Sequence, residues 1–249
     1  MKLTTHYTKQ PGGQVWSLSA PLLSGHTLVA GITGSGKSVL INRLLGDTLA
    51  RTPADCGLIL IDPKRVELYR YAKTPFCRRY ADEPATILAA LDEAIKEMDG
   101  RYKAMRRGGL TTHQGAPLLV VIDELADLMT TQRKEALPRL QRIAQLGRAA
   151  GVRLLMGTQA PNRATLSANL LLNVQNRVAL HCAQPIESRQ IIGSDLATTL
   201  PAFGQAYWLT ASGELSHIEA IPMIEPAELA RRVEFWQDPA NRGRRRLTW

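Results

Sequence analysis

One run of eight residues restricts this chain more than any other feature. Gly31-Ile32-Thr33-Gly34-Ser35-Gly36-Lys37-Ser38 fits G-x-x-x-x-G-K-[ST] at every fixed position. An apolar stretch, Thr27–Ala30, runs into it, and Val39, Leu40, Leu44 and Leu45 run out at helical spacing. Strand, glycine loop and helix in that order make a phosphate cradle. Glycines let the backbone turn its N–H groups inward, and a helix N-terminus adds a dipole that favours anions. The expected ligand is ATP, held by Gly31, Ile32, Thr33, Gly34, Ser35, Gly36, Lys37, Ser38 and Val39. Lys37 would reach the β- and γ-phosphates, and the Ser38 hydroxyl would ligate Mg²⁺.

The rest of the chain fits the fold such a loop requires. Short aliphatic runs at Leu58–Ile61, Leu118–Ile122, Val152–Met156 and Val178–His181 alternate with longer helical patterns, the mark of a mainly parallel sheet flanked by helices. Gln205–Leu209 and Ser216–Ile221 flank Ala211-Ser212-Gly213-Glu214 and read as a C-terminal β-hairpin. Ile87, Leu91, Ile95, Met98, Tyr102 and Met105 line one face of a helix that starts after Pro84 and fades at Gly108-Gly109, which reads as scaffold.

Leu118–Ile122 ends in Asp123-Glu124. Acids at the C-terminal end of a parallel strand lie in the crevice where ligands bind. Asp123 would hold Mg²⁺, usually through water, and Glu124 would polarise the water that attacks the γ-phosphate. Another strand end carries Thr158-Gln159. The Gln159 amide can touch both that water and the γ-phosphate, or can simply cap a loop.

Composition narrows the partner. The 249 residues carry a formal charge of +9, which points to a polyanion, nucleic acid before membrane. Cys56, Cys77 and Cys182 are odd in number and widely spaced, against a disulfide framework or zinc site and in keeping with a reducing cytoplasm. No aliphatic run is long enough to cross a bilayer, and the first residues lack an apolar signal core. Residues 1–238 read as one large domain with a lead-in over 1–24, and 239–249, with Arg242, Arg244, Arg245 and Arg246, as a basic tail.

Several segments are similar to those of the FtsK/SpoIIIE motors. Asp62-Pro63-Lys64 follows the second strand, as in that family. Asp123-Glu124-Leu125-Ala126-Asp127-Leu128-Met129 is close to its Asp-Glu-Phe-Ala-Asp-Leu-Met. Arg148-Ala149-Ala150-Gly151-Val152, followed by Thr158-Gln159, resembles its Arg-Ala-Ala-Gly-Ile passage and Thr-Gln strand end. Asn173-Val174-Gln175-Asn176-Arg177-Val178-Ala179 and Glu187-Ser188-Arg189 continue the likeness, which spans residues 22–210. It implies a RecA-like P-loop ATPase that forms a hexameric ring around double-stranded DNA and moves it by hydrolysing ATP. ATP would then sit at subunit boundaries, where a cation from the neighbour stabilises charge on the transferring phosphate. Arg148 is the first candidate and Arg189 the second; each could instead serve an ion pair in its own chain.

There are departures. Ala160 stands where the family carries Arg, and Leu171 where it carries Lys, both in the stretch that turns toward the DNA pore. Arg163 and Asn169 are the residues left to contact phosphates there. The membrane anchor and winged-helix domain of the family are not seen, the picture of a stripped motor such as a phage or mobile element would carry. The expected function is therefore an ATP-driven DNA translocase serving genome transfer, packaging or segregation. Alternatives are a protein-export motor on the same core and an ATP-switched DNA-binding module in element replication.

Overall fold

The computed structural model describes residues 3–6, 25–51, 56–221 and 225–238. Its centre is a nine-stranded sheet comprising β1 (Leu3–His6), β2 (Thr27–Ala30), β3 (Gly57–Ile61), β4 (Cys77–Ala81), β5 (Leu118–Ile122), β6 (Val152–Thr158), β7 (Asn176–Ala179), β8 (Ala206–Leu209) and β9 (Leu215–Ile218). The order across the sheet is β1-β9-β8-β7-β2-β6-β5-β3-β4. Every neighbouring pair is parallel except those made by β8, which runs antiparallel to both β7 and β9. The described α-helices are α1 (Lys37–Arg51), α2 (Pro84–Arg107), α3 (Leu125–Thr131), α4 (Arg133–Leu146), α5 (Ala168–Leu171), α6 (Pro185–Ile192) and α7 (Pro226–Gln237), with short 3-10 turns at Tyr69–Tyr71 and Leu196–Thr198.

Continuous aliphatic runs suit this sheet because both of its faces are covered. Along β5, Leu118, Val120 and Ile122 enter one core while Leu119 and Val121 enter the other. The first core packs against α2 and α4 through Ile87, Leu91, Met98, Leu140 and Ile143. The second packs against α1 through Leu40, Ile41, Leu44 and Leu45. Period-two alternation in the strands thus divides one sheet between two helical layers.

The expected strands are found, with shifts at the ends. Strand β7 starts two residues earlier than its apolar run because it pairs in register with four-residue β2, Thr27 opposite Asn176 and Ala30 opposite Ala179. The hairpin forms, its turn closed by Thr210 N–H donating to Glu214 O at 2.9 Å, and it extends the main sheet. Helix α2 begins where Pro84 predicts, with Glu83 and Thr86 forming a reciprocal capping box.

Two strands were not foreseen. Strand β4 is an edge strand of sequence Cys-Arg-Arg-Tyr-Ala, whose Arg78 and Arg79 pair with Glu97 and Glu93 of α2. Charge protects an exposed edge and erases the alternation by which a strand is recognised. Strand β1, within the stretch read as a lead-in, pairs parallel with β9 at the opposite edge. The basic tail, 239–249, lies outside the described residues.

Candidate functional site

The strand order assembles the site. Because β2, β6, β5 and β3 are adjacent and parallel, their C-terminal ends share one edge. The phosphate-cradle sequence leaves β2, Thr158-Gln159 closes β6, Asp123-Glu124 leaves β5, and Asp62-Pro63-Lys64 leaves β3. Strand β6 separates β2 from β5, so the cradle and the two acids stand two inter-strand spacings apart, about 10 Å. A lysine side chain can cross that gap.

Lys37 crosses it. Its ammonium donates to the backbone carbonyl of Asp123 at 2.6 Å and to Asp123 Oδ1 at 3.0 Å, and lies 3.9 Å from Glu124 Oε2. The path is open only because residue 157, between them on β6, is glycine. A Cβ there would stand 2.4 Å from Asp123 O and 3.2 Å from Lys37 Nζ. Lys37, Asp123 and Glu124 are all buried. Burial pushes the Asp123 carboxyl up from its usual range, and Lys37 opposes that shift.

Glu124 is held on every side. Gln159 N–H donates to Oε1 at 3.0 Å and to Oε2 at 3.3 Å, and Ala126 N–H donates to Oε1 at 3.3 Å. Lys64 Nζ approaches Oε2 at 3.5 Å and Asp127 at 3.8 Å. The loop that delivers Lys64 is fastened by buried Asp62, which accepts Leu68 N–H at 2.9 Å. Arg65 in that loop takes a left-handed φ of 61° and pairs with Asp82 and Glu83. Lys64 was visible as part of the Asp-Pro-Lys match, but nothing local in the sequence shows that it reaches the acid of another strand.

The cradle itself has the backbone shape expected of it. Gly34 and Gly36 have φ of 81° and 96°, and a Cβ on either would face open space. Ser35 Oγ is buried with no hydrogen-bond partner among the described residues. Thr33 Oγ1 donates to Gln159 Oε1 at 2.9 Å, so the loop and the candidate reporter amide touch. Ser38 and Asp123 offer hard oxygen donors, suited to Mg²⁺, which keeps waters and substrate phosphates for its remaining positions. No cluster of three or more His, Cys, Asp or Glu that could hold a metal occurs among the described residues.

The other candidates fall elsewhere. Arg148 lies just before β6, at the opposite end of a strand whose far end carries Gln159. Seven residues of strand place it about 20 Å from its own cradle. It is exposed and makes no ion pair among the described residues. Arg189 instead pairs with Asp195 at 2.9 Å and joins Arg163 on the wall of a surface groove of about 470 Å³. Leu171 is buried in that wall while Leu172 is 79% exposed. Asn169 and Arg163 are both exposed. No described helix is long and apolar enough to cross a membrane.

With this geometry in place, comparison with known proteins decides the family. A profile of the FtsK/SpoIIIE family matches residues 3–114 and 109–163. The chain belongs to the FtsK/SpoIIIE family. It is 30% identical over 257 residues to the DNA translocase FtsK of Rickettsia prowazekii, covering 86% of this chain and 34% of that protein. It is 38% identical over 226 residues to the DNA translocase FtsK of Helicobacter pylori, covering 84% and 26%. The chain therefore spans about a third or less of these relatives' length. Among solved structures, the pCW3 conjugation coupling protein TcpA, in its monomer form with ATPγS, superposes with a TM-score of 0.73 at 22% identity over 86% of this chain and 65% of that one. That likeness establishes the fold, a P-loop ATPase core, and family membership agrees with the ATPase motifs of the FtsK/SpoIIIE chain.

Proposed function

We propose that this chain is the motor domain of an ATP-driven double-stranded DNA translocase, with the motor over residues 1–238 and a basic tail over 239–249. The convergence of Lys37, Asp123, Glu124 and Gln159 on one sheet edge, in a chain of this family, carries the reading. Bound ATP with Mg²⁺ supplies the γ-phosphoryl group and the metal charge beside it. Lys37 neutralises the β- and γ-phosphates, Ser38 and Asp123 hold the metal, and Glu124 orients and deprotonates the attacking water. Gln159 touches Thr33 of the cradle and, through its N–H, Glu124, so a change at the γ-phosphate shifts the end of β6.

The position of Arg148 supports assembly into a ring. A guanidinium at the far end of β6 cannot serve its own nucleotide, but it can serve that of a neighbour packed against this edge. Arg163, Asn169 and the net charge of +9 support a phosphate-tracking path for duplex DNA. The first test is ATPase rate with and without duplex DNA, followed by displacement of a triplex-forming strand. Strong stimulation with displacement is expected. Hydrolysis indifferent to DNA would refute translocation and favour the protein-export reading.

A further inference from the structure

The turn that carries Arg148, residues 147–151 between α4 and β6, is tied down along its whole backbone. A helix ordinarily leaves its last carbonyls to water or to a local cap. Here the six consecutive carbonyls of residues 146–151 each accept a hydrogen bond from elsewhere in the protein. Tyr102 Oη–H donates to Leu146 O at 2.7 Å. Arg153 Nη1 donates to Gly147 O at 3.1 Å and to Arg148 O at 2.6 Å. His113 N–H donates to Ala149 O at 2.8 Å. Arg101 Nη1 donates to Ala150 O at 3.1 Å and to Gly151 O at 3.2 Å.

Two of these donors, Arg101 and Tyr102, lie on α2, and His113 lies in the loop that follows it. Arg101 is only 7% exposed, and a guanidinium so buried must be paired and hydrogen-bonded to be tolerated. Glu97 at 2.8 Å and the two carbonyls meet that demand. The close approach requires glycine at 151. Its φ is 70°, and a Cβ there would stand 2.9 Å from His113 Cδ2 and 3.0 Å from Arg101 Nη1. Glu97 is also 3.5 Å from Arg78, so the acid of this region is already committed. Arg148 is left with a fixed backbone and an exposed side chain.

Resting on the reading of Arg148 as the cation offered to a neighbour's nucleotide, we propose that Arg101 and Tyr102 are its positioning residues. They hold the 147–151 turn in one conformation, so that only the Arg148 side chain has to be ordered when a neighbour's phosphates arrive. The turn stands at the far end of β6, about 20 Å from the chain's own cradle, so the clasp serves the neighbouring site and not its own.

Phosphate release by mixed subunits of the full chain tests this. Arg101→Met keeps the aliphatic stem and removes the donors. It should bind Mg·ATPγS as the wild type does, yet turn over about 10- to 100-fold more slowly alone, the cost of a misplaced reacting group. Mixed with Lys37→Ala subunits, which supply a well-held Arg148, it should regain activity. Mixed with Arg148→Ala subunits, to which it offers only a poorly held Arg148, it should regain none. Tyr102→Phe removes only the hydroxyl on Leu146 O and should show the same asymmetry at about 2- to 10-fold. Absence of the asymmetry in Tyr102→Phe overturns the proposal whether or not Arg101→Met folds. So does a wild-type rate in Arg101→Met, failure of Lys37→Ala to rescue it, or rescue by Arg148→Ala as large as that between Lys37→Ala and Arg148→Ala. That last mixture contains neither clasp variant. Its own failure at every ratio removes the action of Arg148 across subunits, and is thereby distinct from failure of the clasp.

Discussion

Gly157→Ala tests whether the site depends on one missing side chain. In a strand, alanine is ordinarily favoured over glycine, by about 0.5–1 kcal/mol, because it restricts the unfolded chain. At position 157 the structure reverses the sign. The new Cβ would stand 2.4 Å from Asp123 O and 2.8 Å from Ile41 Cδ1. The Ile41 methyl can rotate away, but the carbonyl belongs to the backbone between β5 and α3. The strand ends must part by about 0.6 Å to reach the 3.0 Å that side-chain carbons tolerate. Overpacking of this kind costs about 1–3 kcal/mol, and at this chain length each kcal/mol lowers Tm by about 2–4 °C. A fall of about 2–12 °C is expected in thermal unfolding. The same displacement moves the carbonyl and carboxylate that Lys37 touches, so kcat should fall by up to about 10²-fold. Gly100→Ala is the control: it lies at an exposed position of α2 with no atom near its Cβ, and should raise stability by about 0.8–1 kcal/mol. A Gly157→Ala protein as stable as Gly100→Ala and fully active would refute the packing argument.

Four further outcomes test the site and the buried interior behind it. Lys37→Ala should abolish hydrolysis, measured by phosphate release, because it removes the cation that spans the cradle and the acids. Glu124→Gln should keep nucleotide binding and slow turnover by about 10²–10⁴-fold, while Asp123→Ala should weaken Mg²⁺-dependent binding; identical behaviour would refute the division of roles. Arg148→Ala alone should be nearly inactive, yet mixing it with Lys37→Ala subunits should recover part of the activity at mixed boundaries, and recovery at no ratio would exclude action across subunits. His26 is buried and its pKa is lowered to about 3, by burial first and Arg153 second, so the unfolded chain takes up a proton near pH 6.5 that the folded chain refuses. Stability should be present above that pH and be lost as pH falls toward 3, by about 2 kcal/mol at pH 5 from this residue, and His26→Gln should remove that part of the slope in denaturant titrations.

The cradle and the two acids were legible because their chemistry demands fixed residue types at strand ends. Leu28–Ala30 and Leu118–Ile122 were legible because strands buried on both faces read as continuous apolar runs. Strand β4 escaped for the opposite reason: as a charged edge it carries Arg78 and Arg79 outward to α2. The pairing of Lys64 with Glu124 escaped because it joins two loops that only the strand order brings together.

Strand β6 links the features that the sequence showed separately. It is buried at every position but half-buried Arg153. Arg148 stands before it and Gln159 after it. Arg153 binds the Arg148 carbonyl at 2.6 Å, and its own guanidinium is held down to about 10 by burial, then by Arg148 and Arg101. Gln159 binds Glu124 and Thr33 at the other end. Packed interiors do not compress, so a strand held between two cores moves as a unit rather than absorbing a shift at one end. In the proposed ring, the cation offered to a neighbour's nucleotide and the amide beside the chain's own are therefore the two ends of one rigid element. A change at either nucleotide then has a short mechanical route to the other, one that needs no rearrangement of the helical layers.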